Sequence, residues 1–206
     1  MAANIVGLGG SLAEFSTSRL ALKIALEGAA AAGASTRLLD LRELDLPMFR
    51  PSLTNPGTGV ADVIEASYEA DGMLWSSPLY NGTISGSVKN ALDWLHELGG
   101  RDPAYLHDEV IGLMSVAGGT QGLQAINTME YVVRSLRGWA VPYVVPIPGA
   151  ARIFDPSGAV KDDLIDRQLR ALGEEVVRVA ARFKANPAMH RQAECEEAAE
   201  RIAAVA

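Results

Sequence analysis

One short segment combines glycines with closely spaced hydroxyl side chains (GGSLAEFSTSR, residues 9–19). The hydroxyl groups of Ser11, Ser16 and Ser18, with the N–H groups of a helix that follows, form an array of donors that suits a phosphate. Arg19 lies in the first helical turn, where a cation opposes the helix dipole, so a bound anion would help to explain it. The alternative is an ordinary helix cap preceded by a glycine turn.

Two better-known phosphate motifs are absent from this segment. A dinucleotide fingerprint requires G-x-G-x-x-G, whereas the stretch that starts at Gly7 reads GLGGSL and ends in leucine. A nucleoside-triphosphate loop ends in Gly-Lys-Ser or Gly-Lys-Thr, and the chain contains neither tripeptide. The segment therefore points to a single phosphate group or to a plain cap.

A second candidate segment reads SPLYNGTISGSVKNALDWL (residues 77–95). Pro78 stiffens the exit from a predicted strand, and Asn81-Gly82 permits positive φ angles. Together they present the backbone amides around Tyr80 at the edge of the sheet, where amides can hydrogen-bond the rim of a planar heterocycle. The alternative is a plain connection from strand to helix, with the leucines of that helix packed in the core.

A third candidate segment is rich in glycine and reads SVAGGTQG (residues 115–122). Glycines let the backbone come close to a flat ligand, and Thr120 or Gln121 can bond its polar edge. Taken alone, the segment is also compatible with an ordinary glycine-rich loop between a strand and a helix.

The three segments follow buried strands in a chain that alternates strands with helices. We predict strands over residues 4–8, 35–41, 72–77, 109–116 and 141–145. Helices are predicted over residues 17–32, 60–70, 87–98, 123–136 and 162–183. This alternation indicates a parallel sheet covered on both faces, a doubly wound α/β fold, although the pattern leaves the strand order open. Ligands of such sheets bind beyond the carboxyl ends of the strands, where the three segments lie.

Composition and charge limit the classes of function. The chain has 206 residues, of which 49% are hydrophobic and 21% charged, as expected for one compact domain. We place that domain at residues 1–186 and predict a polar helical extension at residues 187–206. A net charge of −7 disfavours nonspecific binding to nucleic acid or to an anionic membrane. We expect no membrane span and no secretory signal, and the single Cys195 suits a reducing cytoplasm.

Acid–base and metal chemistry find little support in the sequence. His96, His107 and His190 are scattered, and one cysteine leaves no zinc cluster. The Gly-x-Ser-x-Gly elbow of serine hydrolases is absent.

Taken together, the three segments resemble the loops of the NADPH-dependent FMN reductase family. Four positions match the family's first loop, G-S-x-R-x-x-S-x-N-R, namely Gly10, Ser11, Ser16 and Arg19. Ala13 stands in place of an arginine and Ser18 in place of an asparagine. The second segment is similar to T-P-E-Y-N-x-S-x-P-G-x-L-K-N-A-x-D-W and keeps Pro78, Tyr80, Asn81, Gly82, Gly86, Lys89, Asn90, Ala91, Asp93 and Trp94. Leu79 replaces its glutamate and Ser85 its second proline.

The resemblance implies a flavodoxin-like fold, with a five-stranded parallel sheet in the order 2-1-3-4-5 and helices on both faces. It also implies an FMN site. The implied phosphate ligands are Ser11, Ser16, Ser18 and Arg19, with a backbone amide from Thr17. The residues implied along the edge of the isoalloxazine ring are Pro78, Leu79, Tyr80, Asn81 and Gly82. Those implied at its other end are Ser115, Gly118 and Gly119.

The implied activity is NAD(P)H-dependent flavin oxidoreduction. NADPH or NADH gives hydride to N5 of a tightly or reversibly bound FMN, and a small-molecule acceptor such as free FMN, a quinone or an azo compound then takes the electrons. The family commonly forms dimers or tetramers, so we expect a cytoplasmic homodimer or homotetramer. The alternatives are a flavodoxin-type electron carrier that does not oxidise NAD(P)H, and a phosphate-binding regulator without flavin.

Several residues of these segments keep more than one interpretation. Lys89 and Asn90 suit flavin placement, nicotinamide placement or helix capping. Trp94 suits packing in the core or at a subunit interface. Residues 48–53, which lie between prolines, can form a wall over a neighbouring flavin.

Overall fold

The computed structural model describes residues 2–51 and 53–185. Five parallel strands form its central sheet, and they are β1 (Asn4–Gly9), β2 (Ser35–Asp40), β3 (Gly72–Tyr80), β5 (Val110–Val116) and β6 (Trp139–Ile147). Their spatial order is β2-β1-β3-β5-β6, so the predicted order of the parallel strands is confirmed. A sixth, two-residue strand, β4 (Thr83–Ile84), pairs antiparallel with the end of β3. The predicted extension at residues 187–206 lies outside the described residues.

Helices cover both faces of the sheet. The connections contain α1 (Thr17–Ala31), α2 (Leu41–Leu44), α3 (Thr58–Tyr68), α4 (Gly86–Trp94), a 3-10 helix (Leu95–Gly100), α5 (Leu123–Ser135), α6 (Ala150–Ile153) and α7 (Asp163–Lys184). Helices α1 and α7 pack on one face, whereas α3, α4 and α5 pack on the other. Among the described residues, none of the helices combines the length and apolar character that crossing a membrane requires.

Alternating side chains of the central strands belong to two hydrophobic cores, one on each face of the sheet. In β3, Met73 and Trp75 belong to the core under α3, α4 and α5, whereas Leu74 belongs to the core under α1 and α7. All three side chains are fully buried. Because successive side chains point to opposite faces, a strand that is covered on both sides is apolar at every position. This explains why the strands appear in the sequence as continuous hydrophobic runs.

Helices α1 and α7 cross at unusually short range because each contributes a glycine to the contact. A Cβ atom added at Gly173 would lie 2.0 Å from the carbonyl oxygen of Ala25. One added at Gly28 would lie 2.3 Å from the carbonyl oxygen of Arg170. Any larger residue at these positions would push the two backbones apart.

Strand β3 extends past the predicted end at Ser77 and continues through Pro78 to Tyr80. Asn81 and Gly82 then turn the chain with φ angles of 49° and 86°, and Thr83 pairs with Tyr80. Two central residues of positive φ make a type I′ hairpin turn, for which Asn-Gly is the preferred sequence. The second segment therefore contains a small hairpin where the sequence pattern predicts a loop.

Strand β6 forms one edge of the sheet and contains Pro142 and Pro146. Proline carries no N–H group, so in sheets it is confined to edge strands, to strand starts and to bulges. The pairing of β6 with β5 also shifts register between Ile111 and Leu113.

Candidate functional site

The three candidate segments meet at the carboxyl edge of the sheet because β1, β3 and β5 are neighbours there. Gly9 pairs with Ser76, and Pro78 pairs with Val116. The N–H of Gly10 also donates to the carbonyl oxygen of Ser76 at 3.1 Å, which joins the first segment to the strand that leads to the second. The strand order reverses between β1 and β3, the position at which open α/β sheets bind ligands.

The first segment is organised around the hydroxyl group of Ser16, the N-cap of α1. Its Oγ accepts the N–H groups of Ser11 at 3.0 Å and of Arg19 at 3.2 Å, and lies 3.1 Å from Oγ of Ser18. The side chains of Ser11, Ser16 and Ser18 are all buried. These hydroxyl groups therefore stabilise the conformation of the loop. The N–H groups of Thr17 and Ser18, in the first turn of the helix, have no intrahelical acceptor, and such groups can serve as donors for an anion.

Arg19 is already paired with a carboxylate. Its Nη1 donates to Oδ2 of Asp40 at 3.0 Å, and its Nη2 donates to the carbonyl oxygen of Glu14 at 3.0 Å. Asp40 is 4% exposed and also caps α2 by accepting the N–H of Arg42. Its charge accounts for a cation in the first turn of α1, which the sequence alone connects with a bound anion. The buried Nε of Arg19 has no acceptor within the described residues.

The pairing of Arg19 with Asp40 was missed from the sequence, although a signal for it exists. Asp40 ends β2, β1 pairs with β2, and the register places Asp40 directly opposite Gly9. An acid at the end of a strand and an arginine after the neighbouring strand are therefore brought together by the strand order, which the sequence pattern alone left open.

The second segment presents a partly exposed rim. Pro78 is buried and Leu79 half-buried, whereas Tyr80, Asn81 and Gly82 are exposed at the hairpin turn. The base of the rim is held by Oγ of Ser77, which accepts the N–H of Ser85 at 3.1 Å and donates to the carbonyl oxygen of Pro78. The hairpin leans against α5, with Oγ1 of Thr83 lying 3.0 Å from Oγ1 of Thr128.

The third segment forms an open surface. Gly118 and Gly119 are exposed, and a Cβ atom added to either would meet no atom of the described residues within 4 Å. Ser115 lies beneath this surface. It is fully buried, and its Oγ donates to the carbonyl oxygen of Gly122 at 2.7 Å. Its side chain therefore holds the loop in shape, and the glycine backbone is the part that faces outward.

Asn90 and Trp94 clamp a segment that comes from a distant part of the chain. The amide of Asn90 accepts the N–H of Phe49 at 2.7 Å and donates to the carbonyl oxygen of Pro47 at 2.9 Å. Nε1 of Trp94 donates to the same carbonyl oxygen at 3.0 Å, and its ring meets the ring of Phe49 edge-on. Met48, between the two clamped residues, is 71% exposed.

Neither Lys89 nor Asn90 caps α4. Lys89 forms an ion pair with Asp93 one turn further along the helix, and the cap of α4 is Ser85, whose Oγ accepts the N–H of Val88 at 3.2 Å. Asn90 positions the backbone of residues 47–49, a role that no local sequence pattern indicates.

The residues at this edge fit a flavin mononucleotide. The start of α1 offers N–H donors for a phosphate, and the open surface at Gly118 and Gly119 leaves room for a flat ring. In the part of the chain that the structure describes, no group of three His, Cys, Asp or Glu side chains is arranged to hold a metal ion. A doubly wound sheet with these loops at its reversal point defines a flavodoxin-like protein with an edge suited to FMN.

Comparison with known proteins agrees with this class. A family model described as NADPH-dependent FMN reductase matches residues 3–152. The chain therefore belongs to the NADPH-dependent FMN reductase family, as the three segments had indicated.

Individual relatives support the same assignment. The chain is 32% identical over 201 residues to the NADPH-dependent FMN reductase ArsH of Shigella flexneri, covering 97% of this chain and 76% of that protein. It is 32% identical over 139 residues to an FMN-dependent NADPH-azoreductase of Staphylococcus haemolyticus, covering 66% of this chain and 71% of that protein. The flavoenzyme FerB of Paracoccus denitrificans, an NAD(P)H:(acceptor) oxidoreductase, superposes with a TM-score of 0.70 at 18% identity, covering 88% of this chain and 98% of that one. At that identity the superposition shows the fold alone.

Membership in this family confirms the predicted activity. The protein is an NAD(P)H-dependent flavin oxidoreductase that uses FMN and NADPH, not a plain flavodoxin-type carrier. When bound, FMN supplies the hydride and electron chemistry, and the task of the protein is to bind it, orient it and control access to it.

Proposed function

We propose that the chain binds FMN along the edge formed by the three segments and passes electrons from NADPH or NADH to a small-molecule acceptor, such as a quinone, an azo compound or free flavin. The observation that carries this proposal is that two features lie at the same carboxyl edge of the sheet, at and next to its reversal point. One is the start of α1, with its N–H donors, and the other is the unobstructed glycine surface of the third segment. The two features suit the two ends of one FMN molecule.

At the phosphate end, we propose that the N–H groups at the start of α1 make the primary contacts. Ser11, Ser16 and Ser18 hold the loop in the required shape, with Thr17 contributing an amide, as their hydrogen bonds support. Because Ala13 supplies no cation, Arg19 is the one cation of the segment, and its charge is shared with Asp40.

At the ring end, we propose that the backbone from Pro78 to Gly82 follows one edge of the isoalloxazine ring. The exposed turn at Asn81 and Gly82 supports this arrangement. The backbone of Gly118 and Gly119 faces the ring from the neighbouring strand. Ser115 contributes by fixing that loop through Gly122.

Substitutions at the phosphate end test this arrangement. Arg19→Ala and Ser16→Ala are each expected to weaken FMN binding by roughly 1–3 kcal/mol, the arginine variant more because a charge-assisted bond is lost. Fluorescence titration of the apoprotein with FMN measures both. Ser135→Ala, which removes an exposed hydroxyl bonded to the carbonyl oxygen of Val132, is the matched control. Parental affinity in both variants would place the phosphate elsewhere.

Filling the open surface tests the ring end. Gly118→Val is expected to weaken FMN binding at least about tenfold while leaving the melting temperature of the apoprotein unchanged, because its side chain occupies space that the protein itself does not use. Gly100→Val is the control, since a Cβ atom there also meets no described atom within 4 Å. Gly100 is the last residue of the 3-10 helix that follows α4. Equal FMN affinity in the two variants would argue against a ring over Gly118.

Steady-state kinetics identify the donor and the acceptor. FMN-loaded protein is mixed with NADPH or NADH, with and without a quinone or an azo dye, and absorbance of the reduced nicotinamide is followed. The azoreductase among the relatives supports testing azo compounds first. Donor oxidation that none of the acceptors accelerates would overturn the proposed acceptor classes while leaving the flavin site intact.

We propose a homodimer or homotetramer in the cytoplasm. Exposed apolar side chains such as Met48 and Tyr131, which are 71% and 72% exposed, support an assembly that covers part of this surface. The clamped segment around Met48 is a candidate for the wall over a neighbouring flavin. Light scattering coupled to size-exclusion chromatography gives the number of subunits, and a monomeric mass would contradict the proposal.

A further inference from the structure

A cavity of about 260 Å³ lies at the edge of the sheet opposite the three segments, where β3 and β5 begin. At ~3.3 Å per residue, β3 alone separates the two edges by about 20 Å between Gly72 and Pro78. Three carboxyl groups line this cavity, those of Asp71, Asp108 and Glu109, with Lys184 at the end of α7. Because the cavity is remote from the flavin edge, the activity described above does not account for it.

Two of the three carboxyl groups have partners. Asp71 accepts Nζ of Lys184 at 2.8 and 2.9 Å and the backbone N–H of Asn4 at 2.8 Å. Asp108 accepts Nε1 of Trp139 at 3.1 Å and lies 3.3 Å from Nε2 of His107. These contacts hold the walls of the cavity in place.

Glu109 is different, because one oxygen of its buried carboxyl group lacks a hydrogen-bond donor in the part of the chain that the structure describes. The residue is 8% exposed, and its Oε2 has no hydrogen-bond donor within the described residues. Its backbone is fixed, since its N–H donates to Leu106 and its carbonyl oxygen accepts the N–H of Trp139 at 2.8 Å. An unmatched buried acceptor is costly for a fold, and it has a use where a guest molecule brings the donor.

We propose that this cavity binds a small organic cation of the primary ammonium class, whose N–H donors bond to Glu109. Even without Glu109, the two carboxyl groups of Asp71 and Asp108 outnumber the single lysine that lines the cavity, which favours a cation over an anion. Tyr105 and Phe183 add aromatic walls, which suit the alkyl part of such a cation. At ~30 Å³ per water molecule, the volume corresponds to about nine waters, which is more room than a short alkylamine needs. Within the described residues no carboxylate or histidine cluster is arranged for a metal ion, so an organic cation suits the site better.

The charge state of Glu109 makes the proposed binding depend on pH. Burial and the nearby Asp71 raise the pKa of Glu109 well above the usual range of a glutamate, so the free cavity favours the protonated carboxyl group. A bound ammonium favours the ionised form, so binding releases a proton and strengthens as the pH rises. The titratable and charged groups that share the cavity with Glu109 are Tyr68, Asp71, Tyr105, His107, Asp108 and Lys184.

Isothermal titration of the FMN-loaded protein with methylammonium chloride tests the proposal at constant ionic strength. We expect saturable binding that is at least about threefold tighter at pH 8 than at pH 6, with proton release detected by comparing buffers of different ionisation enthalpy. Tetramethylammonium, which has the same charge and no N–H donor, should bind at least about tenfold more weakly. Undetectable binding of methylammonium, or equal binding of the two cations, would overturn the proposal.

Variants connect the binding to Glu109. Glu109→Gln should weaken methylammonium binding at least about tenfold and abolish most of the proton release, whereas Glu174→Gln, the same charge change at an exposed site on α7, should leave affinity within about twofold. Glu109→Gln should fold, because a carboxyl group with a raised pKa lowers stability as the pH rises above about 4.5, and the amide avoids that loss. Unchanged affinity in Glu109→Gln would refute the assignment.

A second variant keeps Glu109 intact. Lys184→Met removes the ammonium group already present in the cavity, so methylammonium should bind at least about threefold more tightly to this variant. Weaker or unchanged binding would count against the site even if Glu109→Gln failed to fold.

Discussion

Replacing Asp40 by alanine is expected to lower the free energy of unfolding by about 3 kcal/mol, because it leaves the guanidinium of Arg19 without its carboxylate in a mostly buried position. The ion pair spans 3.0 Å, and the side chains of Arg19 and Asp40 are 19% and 4% exposed. The same substitution removes the cap of α2.

Urea denaturation of the apoprotein measures the loss, and a double-mutant cycle with Arg19→Met isolates the part that belongs to the pair. Asp62→Ala is the control, because it removes an ion pair with Arg37 in which both side chains are about half exposed; its effect should stay below ~1 kcal/mol. If Asp40→Ala and Asp62→Ala cost the same, Asp40 is not the structural partner of Arg19 that the geometry indicates.

Gly173→Ala is expected to destabilise the protein through a single added methyl group, with a loss of about 1–3 kcal/mol. In an isolated helix, alanine is more favourable than glycine by about 1 kcal/mol, so propensity alone predicts stabilisation. The close crossing of α1 and α7 reverses the sign, because the new methyl group would overlap the carbonyl oxygen of Ala25. That oxygen belongs to the backbone of α1 and cannot rotate away.

Thermal unfolding followed by circular dichroism checks this expectation, with Gly86→Ala as the matched control. Gly86 starts α4, and a Cβ atom added there meets no described atom within 4 Å, so that variant should be neutral or slightly stabilised. A stabilised Gly173→Ala variant would mean that α1 and α7 are further apart than the structure shows.

Much of the fold can be predicted from the sequence because the parallel strands are apolar at nearly every position. Buried runs such as residues 72–77 are short, are separated by helices and end in glycine or proline, and these features locate the sheet and its carboxyl edge. The three segments at that edge were likewise apparent, because backbone access to a flat ligand and to an anion favours glycine and small hydroxyl residues.

Two features of the structure differ from the sequence-based prediction, one for a local reason and one because it depends on distant residues. The hairpin after Tyr80 was missed because Pro78 was taken as the end of β3, although Asn81-Gly82 is a strong signal for a type I′ turn. The clamp of Asn90 on residues 47–49 has no local signal at all, since its partners lie more than 40 residues away.

The roles of the serines in the first segment also become clear only from their contacts in the structure. A serine that caps a helix and a serine that binds a phosphate look the same in a sequence, and Ser16 and Ser18 were predicted to bind the anion directly. Their burial and mutual hydrogen bonds show that they organise the loop, and direct contact with FMN at these positions stays a prediction.

The prolines of β6 have a consequence for how the sheet behaves towards other chains. An exposed edge strand is a template on which a second strand can assemble, which is a common route to aggregation. Pro142 and Pro146 lie in that strand and have no backbone N–H groups. A strand from another molecule that paired with β6 would therefore lack hydrogen-bond donors at these two positions. The β6 edge is therefore a poor template, and growth of the sheet by addition of strands is discouraged on that side.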